Sequence, residues 1–295
     1  METIYIHHPV SEAVKAEMDS CVLALGFFDG VHIGHQEILE NARRIAKQKG
    51  LTFGVMTFYP HPKTVIQPDE EPMTYLTPLP LKEERFQALG VEKLFVVKFT
   101  PEFARLTPED FVQHYILGLR CRHVIAGFDY HYGCKGKGNM ETLAADGRFG
   151  VTMVQKVEHG QEKISSTAIR HLLSAGNMKA VPDYLGDFYE VRGVVKQTPL
   201  FYRNQFLKVA VDALYRVPIP GVYRIQAEID GERYDGVCHE ISQSGHDTSV
   251  LLQLKDGFID SHQKRISIMW IDFVSGKPQE THQIHHYMEV NRMVI

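Results

Sequence analysis

Two histidines lie three residues apart in a glycine-rich segment, residues 26–35, which reads GFFDGVHIGH. An apolar run at residues 21–25 precedes the segment and predicts a buried strand, and a helical pattern opens at His35. Helix-start N–H groups and the helix dipole favour anions, so phosphates bind at this position of an α/β sheet. The imidazoles of His32 and His35 can donate hydrogen bonds to phosphate oxygens that gain charge during group transfer. The segment therefore predicts a phosphate-binding turn.

Three further motifs each follow a predicted strand. Residues 59–62 read YPHP, residues 127–133 read GFDYHYG, and residues 164–170 read ISSTAIR. The last motif predicts a second phosphate cradle, because hydroxyl and N–H groups at a helix start receive an anion and an arginine one turn later binds it bidentately. Alone, it fits an ordinary serine or threonine helix cap followed by a surface arginine equally well.

The order and spacing of these motifs resemble the adenylyltransferase half of the prokaryotic bifunctional riboflavin kinase/FAD synthetase family over residues 19–186. The resemblance implies a Rossmann-like nucleotidyltransferase domain that joins ATP and FMN into FAD and pyrophosphate. It also implies Mg²⁺, bound mainly through the ATP phosphates, with protein ligands that the sequence does not identify. The residues to which it assigns roles are His32, His35 and Arg170 in catalysis; Gly26, Phe28, Asp29, Gly34, Ser165, Ser166 and Thr167 in nucleotide or phosphate binding; and His61, Pro62, Phe128 and Asp129 near the flavin or the metal-bound nucleotide.

Several of these residues also have structural interpretations. Asp29 is expected to be structural, because Asp accepts local backbone N–H bonds in tight turns. Asp129 could likewise be a turn-forming Asp rather than a residue that binds the nucleotide and its metal. His61, with Phe58 and Tyr59, is expected to border the flavin ring, although core packing explains Phe58 equally well. One departure from the family is Phe27, where many members carry Asn.

The rest of the chain is expected to position these motifs on two domains. Strands are predicted at 22–25, 52–58, 93–99, 123–126 and 151–157, and they alternate with helical patterns such as 37–48 and 81–89. This alternation predicts an α/β fold with a parallel sheet covered on both faces. Thr107 is expected to cap a helix with Pro108 in its first position. We therefore expect a nucleotidyltransferase domain over residues 1–185.

A second domain is expected over residues 186–295, where short strands follow turn signals. The predicted strands are 188–195, 204–211, 222–229, 233–238, 248–254 and 265–273, and they indicate a small antiparallel barrel or sandwich. Its opening resembles the family's riboflavin kinase. However, residues 203–214 lack the family's Gly-Phe-Pro-Thr-Ala-Asn run, and no Glu occurs between Glu240 and Glu280 to act as base. The sequence therefore predicts a barrel without kinase activity.

Composition limits the other readings. The chain has 295 residues, a net charge of -4 and four widely spaced cysteines, so nucleic-acid binding, membrane binding and a disulfide framework are not expected. With no signal peptide evident, we expect a cytoplasmic protein with small-molecule partners and an undetermined oligomeric state. Three alternatives stay open: a bifunctional kinase/adenylyltransferase, a flavin- or nucleotide-binding regulatory protein without turnover, and an enzyme for another phosphorylated acceptor.

Overall fold

The computed structural model describes residues 1–68, 73–198, 200–201, 204–244, 247–255 and 261–276. The histidine-rich end of the chain, with His282, His285 and His286, lies outside the described residues, as does Glu280. The chain divides into two compact units, Met1–Met73 with Thr77–Ile164, and Thr74–Leu76 with Ser165–Ile295. No helix within the described ranges is long and apolar enough to cross a membrane.

The first unit is built on a parallel sheet. The strands described in this unit are β1 (Glu2–Ile6), β2 (Cys21–Leu25), β3 (Thr52–Tyr59), β4 (Lys93–Lys98), β5 (Cys121–Gly127), β6 (His131–Tyr132), β7 (Gly138–Asn139), β8 (Gly150–Val154), β9 (Glu158–His159) and β10 (Glu162–Lys163). Six of them form one sheet in the order β1-β4-β3-β2-β5-β8, and all its pairings are parallel. The pairs β6–β7 and β9–β10 are separate antiparallel hairpins.

Helices cover both faces of this sheet, as the strand–helix alternation predicts. They are α1 (Glu12–Ala16), α2 (Ile33–Lys49), α3 (Pro62–Ile66), α4 (Leu79–Ala88), α5 (Pro101–Ala104), α6 (Pro108–Phe111) and α7 (Met140–Asp146), with a π-helix at Val112–Leu117 and a 3₁₀ turn at Cys134–Gly136. Along β2, Val22 and Ala24 pack in the hydrophobic cluster that contains Leu39 of α2, whereas Leu23 and Leu25 pack in the cluster that contains Phe111. Every residue of β2 is consequently buried.

The predicted elements of the first unit are confirmed, with strand ends shifted by three residues at most. Thr107 caps α6, because its Oγ1 accepts a hydrogen bond from the Asp110 N–H at 3.1 Å, and Pro108 is the first helical residue. The edge strand β1 was not among the predicted strands. Its only fully buried residue is Ile6, so its apolar signal in the sequence is weak.

The second unit contains a closed antiparallel barrel. Its strands are β11 (Tyr189–Gln197), β12 (Leu200–Phe201), β13 (Asn204–Val211), β14 (Val222–Ile229), β15 (Glu232–Ser244), β16 (Asp247–Leu254) and β17 (Arg265–Ser275), and its helices are α8 (Ser166–Ser174) and α9 (Pro182–Leu185), with a 3₁₀ turn at Met178–Ala180. The order β11-β17-β14-β15-β16-β13 closes because β13 also pairs with β11. Trp270, Tyr223 and Tyr189 are fully buried in it. The barrel predicted from the strand pattern is confirmed.

The two units divide earlier in the chain than the expected domain boundary at residues 185/186. Helix α8 joins the second unit because its carboxyl end bonds to the segment before β14. Ile219 N–H donates to the Leu173 carbonyl at 3.3 Å, and Arg216 donates to the Ser174 hydroxyl at 3.2 Å. Within the same unit, Tyr75 exchanges backbone hydrogen bonds with Leu214 and Arg216, which explains why Thr74–Leu76 belong there.

Candidate active site

The segment between β2 and α2 lies at the point where the sheet changes direction. From β2 the chain builds outward through β3 and β4, and it then returns to place β5 and β8 on the other side of β2. In open α/β sheets, the crevice outside the carboxyl ends of the strands at such a switch point is where ligands bind. The segments after β2 and β5 therefore flank the expected ligand crevice, as the sequence motifs require.

The turn after β2 has a conformation that few side chains tolerate. Phe28 and Val31 have φ angles of 56° and 46°, and Gly30 has a φ of 87°. The buried ring of Phe28 covers Gly26, where a Cβ atom would lie only 2.9 Å from Phe28 Cζ. Non-glycine residues at positive φ are strained, and such strain persists where the surrounding structure enforces it, often at functional sites.

Side chains from β3 and α4 donate hydrogen bonds to the backbone of this turn. The Phe27 carbonyl accepts hydrogen bonds from Thr57 Oγ1 at 2.9 Å and from Lys82 Nζ at 2.7 Å. Arg85 Nη1 donates to the Gly30 carbonyl at 3.1 Å. Backbone carbonyls of the turn are thereby fixed by two cations and a buried hydroxyl. None of these three donors belongs to the motifs singled out in the sequence.

Asp29 is buried and has a structural contact, in line with one of its two interpretations. It is 4% exposed, and its Oδ1 accepts a hydrogen bond from the Thr77 N–H at 3.1 Å. Thr77 is remote in sequence, so this bond ties the turn to the segment that enters α4 rather than closing a local loop. Because α4 carries Lys82, the Asp29 bond also helps to place that ammonium.

The two histidines stack on each other at the start of α2. Their ring centroids lie 3.5 Å apart with an interplanar angle of 16°. His32 is the N-cap of α2, because its Nδ1 accepts a hydrogen bond from the His35 N–H at 3.2 Å. An accepting Nδ1 places the proton of the neutral ring on Nε2, which is therefore the donor. Gly34 allows this close packing, since a Cβ there would lie 3.3 Å from the His32 ring.

Burial keeps both imidazoles neutral near pH 7. It lowers the pKa of His32 to about 4, with a further contribution from the positive charge of Lys163. Burial also lowers the pKa of His35 well below its ordinary value, and His32, Lys82 and Lys163 act in the same direction. His35 Nδ1 is buried and has no hydrogen-bond partner among the described residues. A buried unpaired nitrogen is costly to folding, and functional sites are a common reason for keeping one.

The structure brings His61 and Pro62 next to this turn. His61 caps α3, with its Nδ1 accepting from the Lys63 N–H at 3.0 Å, and Pro62 is the first residue of the helix. The His61 ring meets the ring of Phe27 edge to face, with centroids 4.3 Å apart. The Lys82 ammonium lies over the same Phe27 ring, 4.1 Å from its centroid. Phe27 thus connects the His61 loop to α4.

After β5, Phe128 and Asp129 are exposed and meet a lysine that the motifs did not single out. Lys163 Nζ lies 2.5 Å from Asp129 Oδ2 and 4.8 Å from the centroid of the Phe128 ring. Lys163 is close enough to His32 and His35 to lower the pKa of each. Lys163 belongs to β10 and lies two residues before Ser165. The sequence around it has the polar, charged character of an exposed hairpin, which does not indicate a functional residue.

The ISSTAIR motif lies in the second unit, apart from Ile164. Ser165 is the N-cap of α8, with its Oγ accepting from the Ala168 N–H at 3.1 Å, and Ser166 and Thr167 form the first turn. Arg170 Nη2 donates to the Thr74 carbonyl at 2.7 Å. Ser165 therefore makes an ordinary helix-capping hydrogen bond, which is one of the two interpretations given for this motif from the sequence. Its role in phosphate binding stays a prediction, as do those of Ser166, Thr167 and Arg170.

Comparison with known proteins agrees with this geometry. A family model described as FAD synthetase matches residues 14–168, which contain the turn, both histidines and the YPHP and GFDYHYG motifs. The chain belongs to the FAD synthetase family. It is 44% identical over 244 residues to a bifunctional riboflavin kinase/FMN adenylyltransferase of Bacillus subtilis, covering 81% of this chain and 77% of that one.

Two further relatives of this FAD synthetase family member extend the comparison. A FAD synthetase of Listeria monocytogenes is 34% identical over 191 residues, which are 63% of this chain and 77% of that protein. A crystal structure described as a macrolide-efflux protein from Streptococcus pneumoniae matches with a TM-score of 0.83 and 26% identity, covering 100% of this chain and 98% of that chain. The two-part architecture, a parallel-sheet unit and a barrel unit, is shared along that whole length.

The family resemblance implies a magnesium ion, and the described residues include a carboxylate that could help to hold it. Within the described ranges, no group of three or more His, Cys, Asp or Glu side chains could hold a metal ion by itself. Magnesium in phosphate-transfer sites is instead held by one or two carboxylates together with substrate phosphates. Asp129, exposed after β5, is a carboxylate that could serve in this way. The donor set therefore suits a magnesium ion that enters with the nucleotide.

Proposed function

We propose that the protein transfers the AMP group of ATP to the phosphate of FMN, giving FAD and pyrophosphate. The observation that carries the proposal is the pair of stacked, neutral histidines at the start of α2, in a strained turn at the switch point of the sheet. Family membership supports the same reaction. In the proposed step, an FMN phosphate oxygen bonds to the α-phosphorus of ATP, and the bond from that phosphorus to the bridging oxygen breaks.

This reaction does not require a general base. The second pKa of a phosphate monoester is about 6, so the attacking FMN oxygen is largely anionic near pH 7. The protein must instead bring two anions together and stabilise the charge that develops on the phosphates. A bound Mg²⁺ would neutralise part of the phosphate charge, with Asp129 as its candidate protein ligand.

His32 is the group that the structure prepares best for this task. Its Nδ1 is engaged by the His35 N–H, so the neutral ring presents Nε2–H as a donor to a phosphate oxygen. A neutral donor loses no proton as charge develops, and the backbone bond fixes the orientation of the ring. We assign His35 the role of a second imidazole for the phosphates, supported by its unpaired buried Nδ1.

We further propose that Ser165, Ser166, Thr167 and Arg170 receive a substrate phosphate. Support comes from their place at the start of α8, where Ser165 is the N-cap and helix-start N–H groups favour an anion. For the flavin, we propose the aromatic surface of Phe27 and His61, with Pro62 and Phe128 as further candidates.

A second part of the proposal concerns the activity of the barrel. We propose that it does not phosphorylate riboflavin, because strand β16 has no Glu and the family's Thr- and Asn-bearing run is missing from residues 203–214. The alternative has a specific observation in its favour, since the Bacillus subtilis relative is named as a bifunctional enzyme. We also propose a cytoplasmic location, supported by four cysteines that are all free thiols.

Product analysis of the full chain tests the proposal. The purified protein would be incubated with ATP and Mg²⁺, and with either FMN or riboflavin, and the products would be separated by mass-resolved chromatography. We expect FAD from FMN and no product from riboflavin. FMN or FAD from riboflavin would show that the barrel is an active kinase. If FMN yields no FAD, the adenylyltransferase proposal is wrong.

A further inference from the structure

The side chain of Lys82 ends in a buried ammonium that contacts the turn between β2 and α2. It is 2% exposed, although it is a lysine on a helix that also has an exposed face. Its Nζ donates to the Phe27 carbonyl, and the Phe27 ring lies across it at 4.1 Å. Lysines are almost never fully buried unless their charge is paired or used.

No carboxylate forms an ion pair with Lys82 within the part of the chain that the structure describes. Asp29 is near enough to stabilise its charge, but the described hydrogen bond of that carboxylate goes to the Thr77 N–H. Other described groups near the ammonium or the turn are His35 of α2, His61 before α3, and Arg85 of α4, which donates to the Gly30 carbonyl. Lys82 and Arg85 are thus two cations that each hold a backbone carbonyl of the turn.

A charge in this place acts on whatever binds in front of the turn. Water does not screen a fully buried ammonium well, so its charge reaches the neighbouring groups of the turn; it helps, for example, to lower the pKa of His35 at the start of α2. The same Nζ also fixes the Phe27 carbonyl, and with it the peptide that sets the positive φ of Phe28.

We propose that Lys82 is a positioning residue for adenylyl transfer: it holds the turn that carries His32 and supplies positive charge beneath the bound phosphates. The proposal rests on the proposed function, because it concerns the same site. It further assigns Phe27 a tuning role, since the Phe27 ring shields the ammonium from water. Burial lowers the pKa of Lys82 to about 8, and FAD synthesis should therefore decline as this proton is lost.

The test is the pH dependence of FAD formation from FMN and ATP in the full chain, measured on both sides of pH 8. We expect native kcat/KM to fall with a midpoint near pH 8, and the Lys82→Met variant to be about ten- to a hundredfold slower with no such decline. Because the ammonium acts on charge that develops during transfer, kcat should fall more than KM for ATP rises. Lys82→Arg, which keeps its charge, should restore part of kcat and remove the decline.

Lys93→Met is the matched control. Lys93 is also largely buried, with 14% of its side chain exposed, but it lies at the amino end of β4 and pairs with Glu2 and Asp19. Its loss should leave kcat and the pH profile unchanged. The inference is overturned if Lys82→Met retains native kcat and pH profile, or if both variants lose activity equally.

A second variant keeps the inference testable if Lys82→Met does not fold. Replacing the shielding ring in Phe27→Asn should move the alkaline midpoint of FAD formation to higher pH, whatever its effect on the rate itself, because the ammonium gains water. An unchanged midpoint would contradict the assignment. Absence of FAD formation by the native protein would instead refute the proposed function, so the two failures are distinguishable.

Discussion

A charged lysine at a buried position should make the folded protein less stable than an uncharged side chain would. We therefore predict that Lys82→Met stabilises the first unit at pH 7 while impairing FAD synthesis. The Met side chain has a similar length and fills the same space without an ammonium to desolvate. A substitution that stabilises a protein and slows it is the expected signature of a group retained for function.

The magnitude follows from the pKa of Lys82. Burial lowers it from 10.5 to about 8, with Asp29 acting in the opposite direction. At about 1.4 kcal/mol per pH unit, this difference corresponds to a cost of about 3 kcal/mol for holding the charged form in the folded state. Losing the hydrogen bond to the Phe27 carbonyl offsets about 1 kcal/mol. The net gain at pH 7 is therefore about 2 kcal/mol.

The sign of the stability difference between Lys82→Met and the native protein depends on pH. A simple packing effect would not change with pH. Because the folded-state pKa is below the unfolded value, the penalty is complete below pH 8, declines between pH 8 and 10.5, and is absent above. The advantage of Lys82→Met should accordingly shrink as pH rises through 8 and reverse to a deficit of about 1 kcal/mol at high pH.

Urea unfolding at neutral and alkaline pH measures this advantage. Far-ultraviolet circular dichroism would follow the first unit, which holds the longest described helices, while fluorescence of the single tryptophan, Trp270, would follow the barrel. The dichroism midpoint of Lys82→Met should rise by about 1 M urea at neutral pH. A variant that is less stable than the native protein at neutral pH, by an amount independent of pH, would refute the reasoning.

Three further predictions concern the same site. His32→Asn should retain the helix cap but lower kcat by about 10²- to 10³-fold, because it lacks the Nε2–H donor; steady-state kinetics with an intact dichroism spectrum checks this. The native protein should lose stability as pH falls from 6.5 toward 4, because His32 protonates in the unfolded chain before it does in the folded one, and urea titrations of His32→Asn should show a smaller loss. Asp129→Asn should change the unfolding free energy by less than about 1 kcal/mol, since its pair with Lys163 is exposed, yet raise the magnesium concentration needed for half-maximal FAD synthesis.

The elements that were predicted correctly have strong local signals. Strand β2 is an uninterrupted apolar run, and α6 has the Thr107 cap with Pro108 behind it, so both are encoded within a few residues. The barrel strands β13 and β14 have the predicted limits, and in β14 buried residues alternate regularly with half-buried or exposed ones. Local periodicity suffices in such places because burial on one face or both is the dominant energy.

The supports behind the turn were harder to predict, because they depend on contacts between distant segments. Thr57, Lys82 and Arg85 converge on two carbonyls that belong to residues remote in sequence. The sequence does indicate that Lys82 is unusual. It lies on the same helical face as Leu79 and Phe86, where an apolar residue is expected. A charged residue on a buried helical face indicates a site that needs charge, but its partner becomes visible only in the folded chain.

Phe27, the residue that departs from the family motif, is in direct contact with the buried ammonium of Lys82. Phe27 cannot donate the hydrogen bond that an Asn side chain could, but its ring covers Lys82 and meets His61. Burial lowers the pKa of the Lys82 ammonium, and the proposal assigns part of that burial to the Phe27 ring. A chain with Asn at this position would leave the lysine better solvated, with a higher pKa and a weaker field at the phosphates. On this proposal, Phe27 in the turn replaces a local polar contact by electrostatic tuning of Lys82 on α4.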